Sequence, residues 1–448
     1  MTSAFSIGFA WRVRGDFGFG GVTGMIVPSL LLTVLILIRF EYKFKYNSII
    51  IGLVITLMSV TANGWGTING QITGILSAPE SPGVAGYNIK VNPISGAFLM
   101  FCVGFGWIPL WALMIGYIFS NKEYKWFDII KGIFIYVIFR ILGEVFLAHL
   151  IVRIIAPHAY VLFADSLKES GLNITPWSAY LSNYFNQEWY ETIAGGRNYA
   201  ANISNLSSCI GVIAIYLFLR FYYKDKIAAK IELMLSLIFG ISILIADFWM
   251  FWDLGGLWRE SLQAPEWVLG WTYWEYSTGF LAGGLSMYYL TRFSKSEIQI
   301  NESNRIKNLI DLLPNNQKFN NILYIFIVIG FINIYGLVFP FWERLSSESV
   351  LNIQNTLIKI IFLSICILSL LIFGVLNLKG KIKIKLESNK MLFYWFIIYL
   401  VIYFTIYIFV GNLYDWTTPM NYIMVISFVI SLISIIYFFN FELKNLKK

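Results

Sequence analysis

The sequence predicts an all-α polytopic membrane protein with about eleven transmembrane helices and a cytoplasmic C-terminus. Two observations predict this class. Of the 448 residues, 58% are hydrophobic and only 13% are charged, which is about half the charged share of soluble domains. The apolar residues also fall in runs of about twenty, the length that a helix needs to cross the hydrocarbon core of a bilayer.

Eleven apolar windows are long enough to be spans, and a polar or basic segment separates each window from the next. The predicted spans are residues 22–40, 48–64, 96–120, 127–154, 202–222, 231–252, 267–290, 322–341, 356–378, 391–413 and 422–441. We expect residues 1–292 to form a membrane region with the intramembrane charges and the site. Residues 293–321 are predicted to form a cytoplasmic loop, and residues 322–448 a four-helix apolar membrane region.

The N-terminal apolar stretch, residues 4–11, is too short to cross a bilayer. The basic residues follow this stretch and do not precede it, so it does not have the pattern of a cleavable signal peptide. Residues 4–14 are therefore expected to enter the membrane as a half-helix, to form a short twelfth span or to lie outside.

Lysine and arginine are unevenly divided between alternate loops, and this division predicts the orientation. One set of loops holds most of the basic residues, among them the run KGKIKIK at residues 379–385. Because cytoplasmic loops carry such an excess, we expect an integral protein of the bacterial cytoplasmic (inner) membrane. The same loops explain the net charge of +8, so no nucleic-acid partner is expected. The expected partners are the lipid bilayer and a small polar solute or glycan.

Ionisable residues inside the spans are functional candidates, because a charge at membrane depth is costly unless it is paired or hydrated. In the fourth span, Arg140 and Glu144 are four residues apart and share one helix face, where they can pair. His149 lies further out on the same span. The pair either locks helix packing or binds a ligand, with Arg140 holding an anionic or hydroxyl group and Glu144 tuning that binding or exchanging a proton.

Two later spans also carry acidic residues. The sixth span ends ADFWMFWDLGG, with Asp247 in its outer half and Asp253 near its mouth. The two residues are six positions apart in the sequence, so their carboxyl groups lie on different helix faces. The seventh span contains Glu275, which either satisfies a packing contact or faces a site. The small residues after it allow close helix packing; they are Gly279, Ala282, Gly283 and Ser286.

Two glycine-rich segments are expected to break helical regularity near the outer face. Residues 62–74, ANGWGTINGQITG, contain the amides Asn69 and Gln71, and residues 12–21, RVRGDFGFGG, contain Arg12, Arg14 and Asp16. Broken helices with free backbone groups form binding sites in transporters. The alternative for the first segment is a simple outer loop. The second is not a nucleotide-binding loop, because it lacks a preceding strand and a GKS or GKT sequence.

Catalytic and metal-binding motifs are missing from the sequence. The two histidines, His149 and His158, are too few for a multi-histidine metal centre, and the three cysteines show no metal spacing. HExxH, GxSxG and Walker sequences do not occur. We therefore expect neither a cofactor nor a bound metal. A membrane enzyme that transfers acyl or glycosyl groups would still find a base in His149, Asp247 or Glu275.

Two functions fit these features. The first is a secondary transporter of a polar solute. In its more specific version the solute is carbohydrate-like and transport is coupled to protons. The alternative is a membrane-embedded transferase acting on a lipid-linked or surface glycan, for which the outer segment 157–201 would bind the acceptor. The candidate ligand-binding residues are expected to line one water-accessible cavity open toward the outer face. That cavity is predicted from Arg12, Arg14, Asp16, Asn69, Gln71, Glu144, Asp247 and Glu275, with Arg140, His149 and Asp253 as further candidates.

Overall fold

The computed structural model describes residues 1–16, 22–40, 93–120, 122, 124, 126–186, 189–190, 192–254, 269–296, 389–410 and 418–445. In these residues every regular element is a helix, which confirms the predicted all-α class. Four helices are long and apolar enough to cross a membrane, or five if one bent pair counts as a single span. Spans 48–64, 322–341 and 356–378 lie outside the described residues, and the total of eleven remains a prediction.

The helices are numbered here in chain order. They are α1 (Thr2–Asp16), α2 (Val22–Phe40), α3 (Pro93–Phe105), α4 (Pro109–Phe119), α5 (Trp126–Leu142), α6 (Ala148–Ile155), α7 (Pro157–Glu169), α8 (Pro176–Ser182), α9 (Gly196–Leu217), α10 (Lys226–Leu254), α11 (Gly270–Ser296), α12 (Asn389–Val410) and α13 (Pro419–Asn445). A π-helical turn, Gly143–Leu147, joins α5 to α6, and a second one, Phe218–Tyr222, extends α9.

The chain forms two units. The first contains the described parts of Met1–Ala62, Tyr117–Ile129 and Gly279–Lys448, and the second contains those of Asn63–Gly116 and Ile130–Thr278.

In the first unit, the N-terminal segment forms a helix that is buried among other helices. Helix α1 packs against α2, α12 and α13, and the side chains of Ile7 and Phe9 are fully buried. Ile7 also lies against the small residues of α11: a Cβ atom added at Gly279 would be 2.5 Å from the Ile7 carbonyl oxygen. The predicted close packing at Gly279 and Gly283 is therefore present, and its partner is α1. With 15 residues, α1 is about 22 Å long, shorter than a bilayer core.

The second unit contains a bent pair of helices where the sequence predicts one span, residues 96–120. Helices α3 and α4 meet at an angle of 54°. Pro109 is the first residue of α4, where proline is favoured because that position needs no intrahelical N–H bond. On the α3 side, a Cβ atom added at Gly104 would be 2.8 Å from the Cα atom of Gly240 in α10. The chain thus turns just after a point where α3 packs tightly on α10.

The segment after the fourth span folds back along that span. Thr175 caps α8 by accepting a hydrogen bond from the Ser178 backbone N–H over 3.2 Å, in the manner usual for threonine at this position. From α8, the indole N–H of Trp177 donates to the Val145 carbonyl oxygen over 2.6 Å. Val145 lies nearly three turns before the end of α6 at Ile155, about 15 Å along the axis. The outer segment therefore reaches the middle of the fourth span.

Candidate functional site

The fourth span changes its winding at the predicted charge pair. In the π-helical turn Gly143–Leu147, the backbone N–H of Ala148 bonds to the carbonyl oxygen of Gly143, five residues earlier. Gly143 itself packs closely on α9, since an added Cβ atom would be 2.9 Å from the Cα atom of Ser207. Such turns insert one residue into a helix and occur frequently at functional sites. Here the turn contains Glu144, the carboxyl group singled out by the sequence.

The predicted pairing of Arg140 with Glu144 is confirmed. Arg140 Nε lies 3.2 Å from Glu144 Oε1, and the side chains are 24% and 5% exposed. Arg140 Nη2 also donates to Ser204 Oγ on α9, at 3.3 Å. The second carboxylate oxygen, Glu144 Oε2, accepts from the hydroxyl group of Tyr184 over 2.5 Å. Tyr136, one turn earlier on α5, is a further neighbour of this guanidinium, so Arg140 is held by groups from α5, the π-helical turn and α9.

His149 holds the carbonyl group of the π-helical turn. Its Nε2 lies 2.7 Å from the Glu144 carbonyl oxygen, and its Nδ1 lies 2.7 Å from the hydroxyl oxygen of Tyr199. A carbonyl oxygen only accepts, so Nε2 carries the hydrogen. In the neutral ring Nδ1 then accepts from Tyr199. Both ring nitrogens are thus engaged, and the side chain positions the turn that carries Glu144.

Aromatic side chains of the outer segment cover the Glu144 side of this cluster. Tyr190 donates its hydroxyl hydrogen to the Tyr180 carbonyl oxygen over 2.7 Å. Burial, together with the hydrogen bond to Glu144, raises the pKa of Tyr184 to about 12. At neutral pH Tyr184 is therefore a hydrogen-bond donor, as its contact with the Glu144 carboxylate requires. In the same segment, burial lowers the pKa of His158 to about 4.

The other candidates lie at several places. In the first unit, Arg14 is buried on α1 with its guanidinium 5.4 Å from the ring centre of Trp11. Arg12 lies on the same helix, and Asp16 is its last residue. Asn69 and Gln71 are outside the described residues. The convergence of these groups on one cavity remains a prediction.

In the second unit, Asp253 accepts a hydrogen bond from the Gly270 backbone N–H, the first residue of α11, over 2.7 Å. Such a contact stabilises a helix N-terminus. Asp247 and Glu275 are buried, and Asp247 Oδ1 finds no hydrogen-bond partner among the described residues. Within the same residues, no group of three or more histidine, cysteine or acidic side chains could hold a metal ion.

Sequence reasoning missed two polar features of the second unit. Glu232 on α10 is fully buried, and neither carboxyl oxygen has a hydrogen-bond partner in the described part of the chain. It was overlooked because it follows Lys230 at the edge of a predicted span, where a charge is ordinary. The second feature is a row of amides on α9, Asn198, Asn202 and Asn205, spaced four and three residues apart. That spacing on one helix face, inside an apolar window, was a visible signal.

Comparison with known proteins adds no assignment to this geometry. No known protein family, curated protein or solved structure matches the chain.

Proposed function

We propose that the protein is a secondary transporter of a polar solute, carbohydrate-like and proton-coupled, with eleven spans in the bacterial cytoplasmic membrane. The observation that carries the proposal is the bend between α3 and α4. At the break the N–H groups of Gly106 and Trp107 still bond to the Cys102 and Gly104 carbonyl oxygens, but the ends of the two helices lose their regular ladder partners. At membrane depth such backbone survives only when it is buried in protein or faces water. Transporters commonly build their binding sites at discontinuous helices of this kind.

The surroundings of the bend support this proposal. A Cβ atom added at Gly106, between α3 and α4, would be 2.7 Å from Ser208 Cβ and 3.3 Å from the Asn205 carbonyl oxygen. The bend is therefore packed directly on the part of α9 that carries the amide row. A polar helix face next to an interrupted helix is similar to the binding sites that many transporters build.

Two buried acids support the coupling part of the proposal. On α10, Glu232 and Asp247 lie about two turns to either side of Gly240, the residue that α3 approaches closely. Glu232 also shares its helix face with Ala228 and Phe239, which contact Gly116 and Gly104 respectively. Acidic side chains at membrane depth form the proton relays of many pumps and transporters.

Uptake into proteoliposomes tests the function. The purified full-length protein is reconstituted, a proton gradient is imposed, and the entry of radiolabelled hexoses, polyols and amino acids is followed. We expect concentrative uptake of at least one neutral solute, abolished by a protonophore. Gly106→Val should abolish uptake, because its side chain would displace α9. Ser207→Ala is the matched control, since among the described residues the Ser207 hydroxyl bonds within its own helix, to the Ile203 carbonyl oxygen. Uptake unchanged in Gly106→Val would contradict the proposal.

Reporter fusions test the topology. Fusions after residues 45, 125, 226, 307, 383 and 448 are expected to report the cytoplasm. Fusions near residues 87, 183, 259 and 347 are expected to report the outside. One clear reversal at an interior loop would break the proposed series of spans.

A specific observation favours a second function, a membrane-embedded transferase acting on a lipid-linked or surface glycan. Only 33% of the most apolar stretch of the fourth span is buried within the structure, and the exposed side chains of Ile141 and Leu147, each three residues from Glu144, lie next to it on the helix surface. An acid beside an apolar helix face that is open to lipid suits a lipid-linked donor. Incubation with a polyprenyl-phosphate-linked sugar tests this function: transfer or hydrolysis that is lost in Glu144→Gln supports the enzyme.

A further inference from the structure

We propose that the amide row of α9, at the bend between α3 and α4, binds a neutral polyhydroxylated solute through Asn202 and Asn205. The inference rests on the transporter function proposed above and names its substrate class. None of the candidates selected from the sequence belongs to this site.

The geometry places the two amides on the side of α9 that faces α3. Asn202, Asn205 and Cys209 are separated by three and four residues and so share one face of the helix. Cys209 contacts α3 directly, its thiol donating to the Cys102 carbonyl oxygen over 3.3 Å. At Asn205 the backbone itself lies beside Gly106, within the bend. The amide row therefore runs along the interface between α9 and the interrupted pair.

Both amides are buried without satisfying their hydrogen bonds. Asn202 is completely buried, and neither its Oδ1 nor its Nδ2 has a partner among the described residues. Asn205 is 7% exposed. Its Nδ2 also has no hydrogen-bond partner among the described residues. Burying an amide is unfavourable unless its donors and acceptor are paired. Two such groups on one helix face, next to a helix break, are satisfied when the interface between α9 and the bend opens and admits a hydrogen-bonding occupant.

The mixture of free groups selects the class of occupant. The unpaired atoms are two N–H donor groups and one carbonyl acceptor. A metal cation would bind the acceptor and leave both donor groups unsatisfied, whereas an anion would face the carbonyl oxygen unfavourably. A hydroxyl group accepts from one amide and donates to another, so a molecule with several hydroxyl groups satisfies all three atoms.

Charge separation supports a neutral ligand. The guanidinium of Arg140 contacts α9 at Ser204, which lies on another face, toward the fourth span. The face of α9 formed by Asn202, Asn205 and Cys209 contains no charged residue. A solute without charge avoids the cost of carrying an ion into this surrounding.

Thermal unfolding of the purified full-length protein tests the site. Cys102 and Cys209 are free and buried, so a thiol-reactive fluorophore reports unfolding. The probes are D-glucose, D-galactose, D-mannitol and myo-inositol, with L-glutamate, L-lysine and sodium chloride as charged controls. We expect at least one neutral probe to raise the unfolding temperature in a concentration-dependent manner. Asn202→Leu should raise the apparent Kd for that probe by roughly tenfold or more. Ser207→Ala should leave this Kd unchanged.

Several outcomes would overturn the inference: no stabilisation by any neutral probe, stabilisation by sodium alone, or an effect that persists in Asn202→Leu. An Asn202→Leu protein that is simply more stable, with no probe effect in the wild type, would mean that the amides hold only water. Should Asn202→Leu not give a monodisperse protein, Asn205→Ala takes its place, with the same expected loss.

The uptake assay separates this inference from the proposed function. Asn202-dependent binding without uptake would retain the site and reject transport. Uptake that is unaffected by Asn202→Leu would retain transport and reject the site.

Discussion

Tyr184 donates its hydroxyl hydrogen to Oε2 of Glu144 over 2.5 Å, and so joins the outer segment to the middle of the fourth span. The same carboxylate is paired with Arg140 through its other oxygen. The carboxylate thus has a charged partner and a neutral donor, which is how a buried charge is made tolerable in an apolar surrounding.

Arg140 and Glu144 are expected to be energetically coupled. Removing either partner leaves the other uncompensated, which should cost on the order of 3 kcal/mol. The double variant Arg140→Ala/Glu144→Ala should therefore cost clearly less than the sum of the single variants. The measurement is a double-mutant cycle of unfolding free energies in mixed detergent micelles.

The exposed pair of Lys168 and Asp165 offers a matched control for that cycle. Its atoms are 3.5 Å apart, with side chains 71% and 58% exposed, so its coupling should be within about 0–1 kcal/mol. Additive losses at Arg140 and Glu144 would show that the pair does not form.

Tyr184→Phe should loosen the outer segment without unfolding the helices. The change removes one hydrogen bond to a charged group, worth about 1.5–3 kcal/mol, and leaves the ring in place. Limited proteolysis should cleave residues 157–196 faster than in the wild type. Tyr437→Phe is the control, because Tyr437 is largely exposed; an equal rate for both variants would remove the proposed role of the Tyr184 contact.

His158 should make the protein less stable in acid. Burial lowers its folded-state pKa from 6.5 to about 4, so between these values the unfolded chain binds a proton that the folded chain does not. This contribution to stability is fully present above pH 6.5 and is lost as the pH falls through 4. Between pH 7.5 and 4.5, the unfolding temperature of His158→Gln should fall less than that of the wild type. Parallel losses would mean that other groups govern acid sensitivity.

Gly279→Ala should disturb the packing of α1. The added Cβ atom would meet the Ile7 carbonyl oxygen and the Trp11 Cβ atom, both at 2.5 Å. Overpacking of this kind typically costs about 1–3 kcal/mol. Gly284→Ala is the matched control on the same helix, because its nearest neighbour would be Ala4 Cβ at 3.1 Å. Thermal unfolding compares the two, and equal midpoints would contradict this packing.

Glu232→Gln should abolish proton-driven uptake without lowering the stability of the fold. Glutamine has the shape of the acid without its charge, and no cationic partner for Glu232 is found in the described part of the chain, so stability should be kept or raised. Concentrative, proton-driven uptake should be lost, while exchange of solute across the bilayer continues. Glu169→Gln, at an exposed position, is the control. Normal proton-driven uptake in Glu232→Gln would exclude Glu232 from coupling.

The sequence by itself determined the local features of this protein. Apolar runs of about twenty residues predicted the spans, because span length follows from bilayer thickness. The four-residue spacing of Arg140 and Glu144 predicted their contact, because helix geometry alone brings such residues together. The small residues Gly279 and Gly283 likewise predicted close packing, although not the helix that would fill it.

Only the tertiary structure decided the relationships between distant segments. Helix α1 packs against α12 and α13 from the other end of the chain, and Tyr184 reaches Glu144 across forty residues. The neighbour of the amide row is α3, because Cys209 on the same face of α9 contacts Cys102. The bend before Pro109 lies where α9 and α10 pack against Gly106 and Gly104. A helical period specifies which residues share a face, but the neighbour of that face depends on contacts between segments far apart in the chain.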